Sequence, residues 1–382
     1  MPRRIRVLTA GLAVLWLAGA AGAAPAPEDT PLPEGKETTV ACRMEDGGKE
    51  WHYRVYIPQG YQDEADAGRT YPVLVISSPG GNARMGLMAD WIKRNGFLAI
   101  MLVEAKNGPW EPIINNFQAA YADARRRLRM NPTLVFGTGF SGGARAASMY
   151  NHLLIKMQCP PMSGVVLQGA GTAGDATLAD LVKAKVPTAF VAGCKDGNRT
   201  ELSGLKARIP APLLMHRQFD GGHQWAPKEV VESCLDWVWS LAWRNPRTQL
   251  TKADLLARVD EVLEASGGGR LSPLQQYNRL ASLKQMAARQ RLAADAAGKA
   301  AVKRIAAELA KRSADANLKK ELAARNAYGK VAAREAQLES SGQVGPQARE
   351  YLAMQYGKVA EWFPGTEYGN RAAEKAKAPA GG

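Results

Sequence analysis

From residue 71 to residue 242 the chain alternates continuous apolar runs with stretches of helical spacing. The runs are "YPVLVISS" (71–78), "GFLAIMLVE" (96–104), "TLVFGTGF" (133–140), "SGVVLQG" (163–169) and "VPTAFVAG" (186–193), and the more polar "LLMHRQF" (213–219) reads as the last strand. A strand apolar on both faces must be covered on both faces. Strands that alternate strictly with helices form a mostly parallel sheet with helices on either side. Residues 37–57 precede this pattern and read as two strands joined by a turn at Asp46-Gly47-Gly48. The expected fold class is therefore α/β. Past Pro246 the composition shifts to Ala, Lys, Arg, Glu and Leu in helical spacing, broken at "SGGG" (266–269) and "SSGQVGP" (340–346). This is an all-α C-terminal region. Leu274, Tyr277, Leu280 and Leu283 recur every three residues, and "YGKVA" occurs at 328 and again at 356. A degenerate tetratricopeptide-like repeat and a plain Ala-rich helical tail both fit.

The first residues are a processing signal. "MPRRIR" is basic, "VLTAGLAVLWLAGA" is apolar, and "AGA" at 21–23 is a small-residue cleavage site. The expected organisation is a signal peptide at 1–24, a catalytic domain at 25–245 and the helical region at 246–382. Export to the periplasm or the extracellular space follows, without a stable membrane anchor. It also makes disulfides admissible between Cys42, Cys159, Cys194 and Cys234, with three full pairings open. Of the formal net charge of +14, the leader carries +3 and residues 246–382 carry +9. The basic excess thus lies in helices whose Lys and Arg are interleaved with Asp and Glu. That is the pattern of a solvated face, so no nucleic-acid partner is expected. No metal-ligand spacing occurs.

"TLVFGTGFSGGARAASMY" (133–150) places Ser141 between a buried strand and an Ala-rich helix, framed by Gly139 and Gly143. A serine on such a turn is a nucleophile elbow. Its proton needs a base, and only four histidines exist. His52 and His216 lie in strands and His152 at the end of a helix, positions of packing. His223 lies in "FDGGHQWAP", a glycine-rich loop between the last strand and the last helix. It is the candidate base. Asp196, just past a buried strand in "AGCKDGNRTEL", is the candidate orienting acid, with Asp175 its competitor and Asp220 too near His223. The order Ser, Asp, His is that of α/β-hydrolases. The oxyanion needs backbone donors. Gly142 follows the nucleophile, and Gly81 or Asn82 in the "PGGN" loop is the candidate second donor. Trp110, Asn115 and Trp225 are candidates to line the substrate cleft. Acyl transfer by a serine requires no metal or cofactor.

With these pieces in order, residues 37–245 resemble the α/β-hydrolase superfamily. The resemblance is to secreted esterases akin to polyhydroxybutyrate depolymerases and feruloyl or acetylxylan esterases. It rests on "GFSGGARAA", "AGCKDGNRTE" and "FDGGHQW", and departs at the oxyanion loop, where Ser-Ser-Pro-Gly-Gly stands in place of a His-Gly run. It implies Ser141 as nucleophile, Asp196 as acid and His223 as base of a serine carboxylic ester hydrolase. It also implies that the acid loop neighbours the last helix, which favours a Cys194–Cys234 disulfide. "GFSGG" is close to the serine motif of chymotrypsin-like proteases, but their all-β barrels do not fit the strand–helix alternation. A serine peptidase on the α/β-hydrolase fold and a non-catalytic binding protein are the alternatives. The expected partner is an ester substrate, with protein binding or self-association through the C-terminal helices left open.

Overall fold

The computed structural model describes residues 31–44, 47–63, 68–267, 272–340, 343 and 345–377. The expected signal peptide lies outside them. Eight strands form one sheet: β1 (Glu37–Met44), β2 (Gly47–Tyr56), β3 (Tyr71–Ser77), β4 (Leu98–Leu102), β5 (Met130–Phe140), β6 (Gly164–Gln168), β7 (Thr188–Gly193) and β8 (Leu214–Phe219). Their order across the sheet is β1-β2-β4-β3-β5-β6-β7-β8. β1 and β2 pair antiparallel, as do β2 and β4, and every other pair is parallel. The central strands read as uninterrupted apolar runs because helices cover both faces: all seven residues of β3 are buried.

α1 (Ala89–Arg94) and α6 (Lys228–Ala242) cover one face, and α2 (Trp110–Arg127) and α3 (Gly142–Lys156) the other. α4 (Asp175–Lys183) and α5 (Leu202–Arg208) complete the crossovers. α2 carries Glu111 in its first turn and Arg125, Arg126 and Arg127 in its last, charges that complement the helix dipole. Beneath α1 and α6, Phe97 meets Trp91, Phe136 and Trp239 with ring centroids 4.8, 5.6 and 4.9 Å apart.

The C-terminal region holds six helices among the described residues: α7 (Lys252–Gly267), α8 (Pro273–Arg289), α9 (Ala296–Ala314), α10 (Ala316–Ser340), α11 (Pro346–Trp362) and α12 (Glu367–Lys377). The first three share the sheet's own core. Leu255, Val259 and Val262 of α7, Leu280, Leu283 and Met286 of α8, and Ile305 of α9 belong to one buried cluster with Trp239 and Trp243. The Arg258 guanidinium lies 5.0 Å above the Trp239 ring and 5.2 Å above Trp243, with Glu261 2.8 Å away to balance its charge. Ser272 and Gln275 form a capping box that starts α8, with Pro273 at its first position. α10 to α12 close a separate small core around Tyr356, Val359 and Ala372. No helix among the described residues is long and apolar enough to cross a membrane.

All four cysteines are free thiols, so the Cys194–Cys234 disulfide is corrected. α6 turns Cys234 into the core beside Val231, Leu235 and Val238, where burial raises its thiol pKa to about 11. Cys194 is exposed past the end of β7 and donates to Asp220 Oδ1 at 3.4 Å. The two elements are neighbours, but the side chains point to different surroundings.

Candidate active site

The parallel strands β5, β7 and β8 end on the same edge, and the loops that follow them carry Ser141, Asp196 and His223 respectively. Ser141 stands between β5 and α3 with φ 53° and ψ −119°, a left-handed conformation that a serine adopts only under constraint. The constraint is visible. Its N–H donates to Gln168 O at 2.8 Å, and its own carbonyl accepts Ala144 N–H at 3.0 Å. The glycines on either side permit the turn. A Cβ on Gly139 would stand 2.5 Å from the Gly143 backbone, and one on Gly143 would stand 2.4 Å from Ser77 O. Three backbone segments therefore meet at a distance that no other residue allows.

Asp196 follows β7 and is 2% exposed. Asn198 N–H donates to its Oδ1 at 2.9 Å, and its Oδ2 lies 3.0 Å from His223 Nδ1. With both oxygens engaged the carboxylate has one orientation. His223 Nε2 lies 2.9 Å from Ser141 Oγ. The loops carrying Asp196 and His223 are zipped together: Cys194 N–H donates to Phe219 O and Lys195 N–H to Gly221 O, each at 2.9 Å. The imidazole also rests against Phe140, ring centroids 4.7 Å apart, and Phe140 in turn meets Trp225 at 5.4 Å.

A mostly parallel sheet, a strained serine at a strand-to-helix turn, and an aspartate and a histidine from later strand ends in the order Ser, Asp, His are now together. This is the α/β-hydrolase fold. No family profile matches the sequence, and no curated protein does. Solved structures similar to it include a thermostable esterase, at 13% identity over 53% of this chain and 62% of that one, TM-score 0.40. Another is FphF, a fluorophosphonate-binding serine hydrolase of Staphylococcus aureus, at 12% identity over 55% of this chain and 98% of that one, TM-score 0.40. A third is a ferulic acid esterase, at 16% identity over 56% of this chain and 98% of that one, TM-score 0.39.

The other expected residues divide. Gly142 opens α3, and its N–H meets no acceptor among the described residues. Gly81 N–H donates to Ser78 O at 3.0 Å and Asn82 N–H to Val103 O at 2.8 Å, so neither is free for a substrate oxygen. In the same loop Gly80 N–H has no acceptor among the described residues. Trp225 lines a pocket of about 270 Å³ with Ser78, Met85, Met88, Gln168 and Val231. Trp110 is exposed at the start of α2, and Asn115 is half-buried on that helix. The adjacent Asn116 is the structural residue: it is buried, accepts Glu104 N–H and Ala105 N–H at 3.1 Å, and donates to His52 O at 2.9 Å. The remaining histidines are occupied elsewhere. His52 bonds Glu104 at 2.8 Å, His152 bonds Asp180 at 2.6 Å, and His216 faces Phe190. Asp175 pairs with Arg208 at 2.7 Å, away from His223.

Three residues beside the site have no sequence signal of their own. Phe140 occupies the variable position before Ser141, Gln168 is the lone polar residue ending the apolar run of β6, and Asn107 sits in the loop after β4. No metal-binding cluster of His, Cys, Asp or Glu occurs among the described residues.

Proposed function

We propose that this chain is a serine hydrolase that cleaves a carboxylic ester through an acyl-enzyme, acting outside the cytoplasm where its leader directs it. The observation that carries the reading is the unbroken series from Asp196 through His223 to Ser141, with contacts of 3.0 and 2.9 Å. Asp196 accepts from Nδ1–H and so selects the tautomer whose Nε2 lone pair faces Ser141 Oγ. His223 takes the hydroxyl proton as Oγ attacks the ester carbonyl, and the carbonyl oxygen becomes the oxyanion. Gly142 N–H, at the positive end of α3, supplies one donor to it. Gly81 and Asn82 become donors only by releasing Ser78 O and Val103 O. Collapse of the tetrahedral intermediate expels the alcohol, which takes its proton from His223. Water then repeats the sequence on the acyl-enzyme and returns Ser141.

The pocket beside Trp225 suits an apolar group. Its volume of about 270 Å³ is just under twice that of a cavity of roughly 150 Å³ that holds a benzene ring. The test is labelling by a fluorophosphonate together with turnover of p-nitrophenyl acetate to octanoate. Both are expected in the wild type and absent in Ser141→Ala. A folded wild type that neither labels nor turns over overturns the reading.

A further inference from the structure

Gly142 lacks a side chain for a reason that the nucleophile turn does not supply. A Cβ there would stand 1.7 Å from Asn107 Oδ1, 2.8 Å from its Cγ and 3.4 Å from its Nδ2. The space that a side chain at this position would fill is already filled by the amide of Asn107. That amide comes from the loop between β4 and α2 and is laid against the residue whose N–H faces the developing oxyanion.

The placement is built, while the amide itself is idle. Asn107 N–H donates to Pro79 O at 2.8 Å, and Gly80 bridges Lys106, so the loop after β4 is fastened to the loop after β3. A Cβ on Gly81 would stand 2.6 Å from Val103 O, which shows how closely the two loops approach. The Asn107 side chain is exposed and has no hydrogen-bond partner among the described residues. An Asn amide offers two N–H donors and a carbonyl acceptor, and only its partners decide which end points where. Its last torsion is broad and two-fold, so a half-turn exchanges Oδ1 and Nδ2 at little cost. A negative oxygen beside Gly142 attracts the N–H end and repels the carbonyl end. The substrate thus sets the orientation.

We propose that Asn107 Nδ2–H is a side-chain donor of the oxyanion hole, acting beside Gly142 N–H. It supplies hydrogen bonding that Gly81 and Asn82, engaged elsewhere, do not. The inference rests on the acyl-transfer reading of Ser141. No covalent step is added: the tetrahedral oxygen accepts from Gly142 and Asn107 together, and both bonds weaken when the carbonyl re-forms.

The test is the kinetics of p-nitrophenyl butyrate hydrolysis by wild type, Asn107→Ala, Asn107→Asp, Gly142→Ala and the Asn107→Ala/Gly142→Ala double variant, with melting temperatures alongside. Loss of one oxyanion donor is expected to lower kcat by about 10²–10³-fold. KM should stay within about two-fold, because the bond strengthens only in the transition state. Asn107→Asp should fall further than Asn107→Ala, since it places a carboxylate where the oxyanion forms. Gly142→Ala should lower kcat in the wild type by displacing Asn107, yet cost little more once Asn107→Ala has cleared the space. Melting should not move in the Asn107 variants, because the side chain is exposed. An Asn107→Ala enzyme that keeps a third or more of wild-type kcat overturns the inference and leaves Gly80 N–H to complete the hole. So does a rise in KM at constant kcat. A wild type that is neither labelled by a fluorophosphonate nor active overturns the hydrolase reading, and this inference with it.

Discussion

Replacing Gly143 by alanine probes the close approach that shapes the turn at Ser141. The new Cβ would stand 2.4 Å from Ser77 O and 2.7 Å from Ser77 C, where real Cβ contacts begin at 3.0 Å. At least 0.6 Å of movement is required, the gap between 2.4 and 3.0 Å. The obstacle is backbone, and it cannot retreat: β3 is hydrogen-bonded to β4 on one side and β5 on the other. The first turn of α3 must lift, and Ser141 and the Gly142 N–H move with it. Overpacking of this kind costs about 1–3 kcal/mol of stability. A displacement approaching 1 Å costs on the order of 10²-fold in rate. The expected result is a Gly143→Ala protein that folds, has a lower urea midpoint, and hydrolyses p-nitrophenyl butyrate about 10²-fold more slowly. The control is Gly204→Ala on α5, exposed and with nothing within 4 Å of the new Cβ. It should keep full activity and gain about 0.5–1 kcal/mol, as expected for glycine replaced within a helix. A Gly143→Ala protein within three-fold of wild-type activity and unchanged in stability would show that α3 rises freely from β3. The reasoning from close approach would then fail.

Asp196→Asn keeps the shape of the side chain but cannot accept from Nδ1–H as the carboxylate does, so kcat should fall by about 10⁴-fold with little change in KM. His216 is held down to a pKa of about 4 by burial, with Lys206, Arg217 and Lys375 adding to the effect. Its value in the unfolded chain is the ordinary 6.5, so the unfolded state binds the proton more readily. The stability present above pH 6.5 is therefore lost as pH falls toward 4, and urea midpoints at pH 7 and pH 5 should differ less for His216→Gln than for wild type. A chain ending at Asn245 removes Leu255, Val259, Val262, Leu280 and Leu283 from the cluster around Trp239 and Trp243. It should aggregate or bind a hydrophobic dye, whereas a separable catalytic domain would be monomeric and active.

How far the sequence could be read depended on whether a feature is local. The buried strands were legible because a residue run that must be covered on both faces carries no polar alternation. The meeting of Ser141, His223 and Asp196 was legible because chain order and strand-end position are both written in the sequence: Asp196, not Asp175, lies where the loop after β7 meets the loop after β8. The state of the candidate donor amides was not, since the availability of Gly81 and Asn82 depends on whether Ser78 O and Val103 O reach them. Asn107 against Gly142 joins two loops about 35 positions apart in the chain, and nothing in either loop announces the other. The cysteines show a different limit. Fold-level proximity favoured a Cys194–Cys234 bond, yet Cys234 stands three residues after Val231 and four before Val238, the spacing of one apolar helix face. That phase already turns its thiol toward the core.

The change in composition at Pro246 marks something real, but it does not mark the end of the core. Leu255, Val259 and Val262 follow the spacing of an amphipathic helix, which says that α7 buries a face without saying against what. Trp239 and Trp243 at the end of α6 are the answer, and Arg258 lies over both rings with Glu261 to balance it. Arg69 pairs with Glu261, and Thr70 donates its hydroxyl to Asp254 at 2.7 Å, so the segment leading into β3 is fastened to α7 as well. β3 carries Ser77, on which the turn at Ser141 rests. The helices past residue 246 thus brace, through β3, the strand that sets the position of Ser141, and a perturbation of α7 is expected to register in the rate before it registers in the sheet.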